Sequence, residues 1–79
     1  MNLKEEDIVL LKYLLQHIDR YVPTVELVVR LHIPDNKVRY HLNKLAREGL
    51  VEKRKEKGVL YWRLTLAGAR IASRLKQKI

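Results

Sequence analysis

Cysteine is absent from the 79 residues, which excludes disulfides, thiolate metal sites and a cysteine nucleophile together. Glycine occurs only at 49, 58 and 68, each with a backbone use as a cap, a turn or a close contact, so there is no glycine-rich phosphate loop. The one serine, Ser73, sits among arginines and lysines with no base at useful spacing. An enzyme is not expected. His17, His32 and His41 fall one to an element, without the His or carboxylate pairing that would hold a metal, so neither metal nor cofactor is expected. His41 flanks an apolar stripe and reads as a boundary residue or a phosphate contact. No apolar run approaches the roughly 18 residues of a membrane helix, and the Glu5-Glu6-Asp7 triplet spoils a signal peptide; a soluble, cytoplasmic chain without a membrane partner is expected. Repeats, low-complexity tracts and linkers are missing too. Residues 1–79 therefore read as one domain, at a size where a single core is marginal and a second copy would add stability.

What the chain has in excess is positive charge. Its net charge is +8, unevenly spread: residues 1–34 hold four Lys/Arg against five acids, and residues 35–79 hold thirteen against four. Concentrating the excess in one half is the electrostatic footprint of a polyanion partner.

The basic half begins with PDNKVRYHLNKLAREGLV, residues 34–51. Pro34 pushes the residue before it out of the α region, and Asp35 is placed to cap a helix over 35–48. Val38, Leu42, Leu45 and Ala46 repeat at the helical period, and Gly49 stands where a left-handed C-terminal residue is wanted. At about 100° per residue, Asn36, Tyr40, Asn43 and Arg47 point away from that stripe, with Arg39 on one flank and Lys37 and Lys44 on the other. Arg and Lys suit guanine edges and phosphates, Asn suits adenine, and Tyr suits phosphates or thymine methyls. The bland alternative is a solvated helix face. Context favours recognition, because a strand-like segment, a charged turn and a second strand follow directly.

In that hairpin Leu60, Trp62 and Leu64 alternate with Val59, Tyr61 and Arg63, the pattern of a half-buried strand. Trp62 shares its face with two leucines and reads as core, while Tyr61 is open to a base-stacking role. Glu56-Lys57-Gly58 supplies the turn, and Lys53, Arg54, Lys55 and Lys57 crowd a tip where packing gives them no task. Upstream, Asn2 and Glu5 have capping-box spacing for a first helix over about 3–19, with Ile8, Leu11, Leu14, Leu15 and Ile18 as its stripe. Val9 and Tyr13 fall on another side, as scattered surface apolars or a partner interface. Tyr21-Val22-Pro23 reads as a short third strand beside the hairpin. Thr24 is placed to cap a second helix that buries Val25, Leu27, Val28 and Leu31 and leaves Glu26 and Arg30 wet, and Ile33 in the next turn is placed in the core. Thr65 caps a last helix whose Ile71, Leu75 and Ile79 form a row that seats on the first helix or on its copy in another chain.

The run from Val38, Leu42 and Leu45 through Gly49-Leu50-Val51, a basic turn and Tyr61-Trp62-Arg63-Leu64-Thr65-Leu66-Ala67-Gly68 resembles small prokaryotic winged helix-turn-helix transcription regulators of the MarR, PadR and ArsR type, including minimal archaeal and archaeal-virus versions. The fold class implied is α+β, mostly α, in the order helix, short strand, helix, helix, strand, strand, helix. The resemblance implies that helix 35–48 enters the major groove, that the wing, 52–60, meets the minor groove or backbone, and that a homodimer forms through the terminal helices. The chain is too short for the long terminal helices of MarR-type proteins, and it lacks the ligand clusters of metal-sensing ArsR-type members. The expected function is sequence-specific binding of double-stranded DNA by a transcription regulator. A protein-protein module and a nonspecific chromatin-like binder are the alternatives. The expected DNA-binding residues are Asn36, Lys37, Arg39, Tyr40, Asn43, Lys44, Arg47, Lys53, Arg54, Lys55 and Lys57; the expected dimer residues are Val9, Tyr13, Ile71, Leu75 and Ile79.

Overall fold

Four helices pack with a three-stranded antiparallel sheet in a computed structural model that describes residues 2–77. The order is α1 (Glu5–Gln16), β1 (Val22–Pro23), α2 (Thr24–Leu31), α3 (Asp35–Arg47), β2 (Val51–Glu56), β3 (Val59–Leu64) and α4 (Leu66–Gln77), as the alternating periods of the sequence predict. Ile79, expected at a dimer interface, lies outside the described residues.

The start of α1 differs from the capping box expected of Asn2 and Glu5. Asp7 performs that task instead, its Oδ2 accepting from the backbone N–H of Lys4 at 2.8 Å. The helix ends at Gln16 rather than Asp19, so Ile18 falls beyond it and is 46% exposed. The buried stripe is Asp7, Leu10, Leu11 and Leu14, with Ile8 only half-buried. Thr24, expected as a cap, makes no capping bond; its hydroxyl donates to the Leu60 carbonyl at 3.0 Å and accepts from Trp62 Nε1 at 2.7 Å. That bond satisfies the indole N–H and lets Trp62 be wholly buried, where an unpaired polar group would be costly. Rotation of α2 leaves Val25 63% exposed, against expectation, and draws Glu26 half inside.

The helix expected over 35–48 runs to Arg47, and it begins without a side-chain cap: Asp35 is its first residue and pairs with Arg39 one turn on at 2.7 Å. Its end is as expected. Gly49, at φ 78°, lets its own N–H reach Ala46 O at 3.0 Å and that of Leu50 reach Leu45 O at 2.9 Å, which closes a Schellman motif. Lys57 and Gly58, at φ 50° and 80°, form the two-residue turn of the hairpin, a type I′ geometry that matches strand twist. The predicted third strand is present, Val22 opposite Trp62 and Pro23 opposite Tyr61, so β3 is central. Thr65 caps α4 as expected, accepting from the Gly68 N–H at 3.1 Å and donating to Gly49 O at 2.6 Å. A Cβ at Gly68 would stand 1.8 Å from the Leu50 carbonyl oxygen, so only glycine fits where α4 crosses the exit of α3. α4 lies on α1, with Ala72 buried and Ile71, Leu75 and Ile33 half-buried against the core.

Candidate nucleic-acid interface

α3 presents two unlike sides. Its inner side buries Val38, Leu42 and Leu45, as the spacing predicts. Its outer side exposes Asn36, Lys37, Arg39, Tyr40 and Arg47, with Tyr40 61% accessible despite its ring. Asn43 is half-buried because the wing reaches it: Lys53 Nζ donates to Asn43 Oδ1 at 3.1 Å.

The flank facing α1 is not open surface. Asp7, wholly buried, accepts from Lys44 Nζ at 2.7 Å through Oδ2 and meets His41 Nδ1 at 2.8 Å through Oδ1. A buried carboxylate is costly unless paired, and these contacts with the Lys4 N–H give it three partners. Burial pushes the Asp7 carboxyl up, but the hydrogen bonds from Lys44, Lys4 and His41 outweigh it and hold the group below its ordinary 3.8. Lys44 is held more firmly charged by the same bond, yet that charge is spent inside the molecule. His41 is buried and joined to Asp7, which corrects its reading as a boundary residue or phosphate contact. Asp7 is not among the residues expected to matter, yet the sequence carries its signal: positions 7, 10, 11 and 14 are one helical stripe.

The wing also has two faces. Residues directly opposite in an antiparallel pair share a face, so Lys53 opposite Trp62 and Lys55 opposite Leu60 lie on the inner side toward α3. The Lys53 ammonium stands 5.7 Å from the Trp62 ring centroid. Arg54, opposite Tyr61, lies on the outer side; it bonds Glu56 at 3.0 Å and stands 5.6 Å from the Tyr21 ring. Arg63 joins that outer cluster, 4.6 Å from the Tyr21 ring and bonded to Glu52 at 2.8 Å. The expectation of four basic residues crowding a tip without packing contacts is therefore corrected: Lys55 and Lys57 fit it, while Lys53 and Arg54 are engaged on opposite faces.

Of the expected dimer residues, Tyr13 donates its hydroxyl to the Glu26 carboxylate within the chain. Arg20 grips the same carboxylate at 2.6 and 3.0 Å, and Arg20 and Tyr13 together lower it from 4.5 to about 2. Val9 is half-buried beside Glu5, Glu6, Leu31 and Ile33, around a cavity of about 280 Å³. No group of three or more His, Asp or Glu side chains is arranged to hold a metal among the described residues, and no described helix is long and apolar enough to cross a membrane.

No family model matches the chain, nor does any curated protein. Solved structures do. A MepR mutant from a multidrug-resistant S. aureus clinical isolate superposes over 99% of this chain and 59% of its own, with a TM-score of 0.87 at 17% identity. The fold is a winged helix-turn-helix. A MarR mutant from E. coli, complexed with operator DNA, shares this winged helix over 96% of this chain and 55% of its own (TM-score 0.81, 20% identity). The transcriptional regulator HlyU from Vibrio vulnificus does so over 92% of this chain and 74% of its own (TM-score 0.78, 26% identity). The chain spans little more than half of the MepR and MarR chains. None of these three comes from an archaeon or a virus, so they lend nothing to the archaeal part of the resemblance.

Proposed function

We propose that this winged helix binds double-stranded DNA sequence-specifically and regulates transcription, with α3 in the major groove and the inner face and tip of the wing against the backbone or minor groove. The observation that carries the reading is the single surface made by the outer side of α3 and the inner side of β2, bridged by Asn43 and Lys53. Asn36, Lys37, Arg39, Tyr40, Asn43 and Arg47 supply base and phosphate contacts, and Lys53, Lys55 and Lys57 extend the positive field. Lys44 and Arg54 are left out of this set, because Asp7 holds the first and the outer wing face holds the second. One neighbour described as a transcriptional regulator, and another, a MarR mutant, in complex with operator DNA, support the same class of partner. A cytoplasmic protein follows from it.

A homodimer is part of the proposal. Val9, Ile71 and Leu75 stay half-buried on the terminal helices, and a two-fold dimer would set two recognition helices about 34 Å apart on one face of the duplex. Mobility shifts across a salt series test the binding: log affinity is expected to fall with log salt by about 0.9 for each phosphate neutralised, and failure to bind any duplex at low salt would overturn the proposal. Sedimentation with and without DNA tests the dimer, and a monomer under both conditions would remove it.

A further inference from the structure

Asn43 and Lys53 meet between the recognition helix and the wing, and what their contact leaves free decides what they can read. An ammonium has three donors and no acceptor, so the 3.1 Å contact requires the amide of Asn43 to turn Oδ1 toward Lys53 and its NH2 away. Lys53 is fixed from a second direction: the strand register sets it opposite Trp62, and its ammonium lies 5.7 Å from that ring. Asparagine reads adenine with both ends of the amide, the oxygen accepting from N6 and the nitrogen donating to N7. Here one lone pair of that oxygen is taken by Lys53, and an adenine N6 amino group would have to share the oxygen with an ammonium. What the pair offers outward is mostly N–H, from the amide and from the rest of the ammonium. Guanine meets such a head with two acceptors, N7 and O6, whereas adenine and cytosine oppose it with an amino group.

Building on the proposed duplex-DNA reading, we infer that Asn43 and Lys53 act as one donor-rich head that specifies guanine at a single major-groove position. The adenine preference that asparagine alone implies is thereby reversed, and Lys53 sets specificity rather than merely gripping phosphate.

Selection of bound duplexes from a random library, run with the full chain and with the Lys53→Met, Lys53→Arg and Asn43→Ala proteins, tests this. The parent is expected to select guanine at one position where Asn43→Ala selects no base. Lys53→Met frees the amide oxygen while keeping an apolar stem against Trp62, and it should move the guanine-to-adenine ratio there by about tenfold or more, the size of one bidentate contact. Lys53→Arg, still a donor, should keep guanine. Thermal unfolding of each variant alongside the parent separates a changed preference from a damaged fold. Adenine in the parent's motif at that position, or an unchanged guanine preference in a folded Lys53→Met protein, would overturn the inference while leaving DNA binding intact. A parent that enriches no motif at all would overturn the proposed function along with it.

Discussion

Lys44 and Lys53 each donate a hydrogen bond to an oxygen beside or on α3, with opposite consequences. Lys44 donates into wholly buried Asp7 and locks the flank of α3 against α1. Lys53, exposed on the wing, donates to the Asn43 amide on the outer side of α3. A basic residue near a recognition helix is thus not a nucleic-acid contact by virtue of its charge. The oxygen it meets, and whether that oxygen is carboxylate or amide, decides whether the charge holds the fold or remains available to a partner.

Removing the carboxylate should have the largest effect. Asp7→Ala strands His41 and Lys44 beside an emptied site and should cost about 3 kcal/mol of stability, measured by urea unfolding at neutral pH. A variant as stable as the parent would show that the flank does not depend on this network.

Acid should dissolve the same contrast more gradually. Asp7 and Glu26 are both lowered in the folded chain, so their stabilisation is fully present above the ordinary values of 3.8 and 4.5 and is lost as pH falls through the folded values. Stability is expected to decline from about 4.5 downward, with the Glu26 part continuing to about 2, where that group titrates when folded. In the Glu26→Gln protein the decline should be shallower; an identical acid profile would count against the Arg20 and Tyr13 contacts as its source.

Smaller effects are expected on DNA affinity. Lys55→Ala should reduce the salt slope by about 0.9, one phosphate's share, while Lys44→Ala should leave it unchanged in protein that remains folded. The smallest belongs to Arg54→Ala, whose guanidinium lies on the outer wing face: binding should stay unchanged on sites with A·T-rich and G·C-rich flanks alike. An equal drop on both would return Arg54 to the phosphate contacts, and an A·T-selective drop would put it in the minor groove.

The sequence makes some of this arrangement plain and hides the rest for identifiable reasons. The near boundaries of α3 were legible because Pro34 and Gly49 act through local backbone geometry, and the burial of Trp62 because alternation along one strand is local too. Thr24 was misread because a hydroxyl that can cap a helix can equally hold an indole, and only the position of β3 decides between them. Asp7 entered only as one of the Glu5-Glu6-Asp7 triplet, although it keeps phase with Leu10, Leu11 and Leu14; its side-chain partners, His41 and Lys44, are more than thirty residues away. For the wing, the alternation that placed Trp62 also separates Lys53 from Arg54, and treating the four basic residues as one tip cluster overlooked it.

The missing side chain at Gly68 lets α4 cross directly over the Leu50 carbonyl at the exit of α3. Thr65 fastens the start of α4 onto Gly49 and Leu50 through two oxygens, its hydroxyl donating to Gly49 O at 2.6 Å and its backbone N–H to Leu50 O at 3.1 Å. The exit of α3 and the start of α4 are therefore joined at residues 49 and 50 by two hydrogen bonds and a close backbone approach. In a two-fold dimer of the kind proposed, the spacing of the two reading helices would therefore depend on the angle at which the last helices cross.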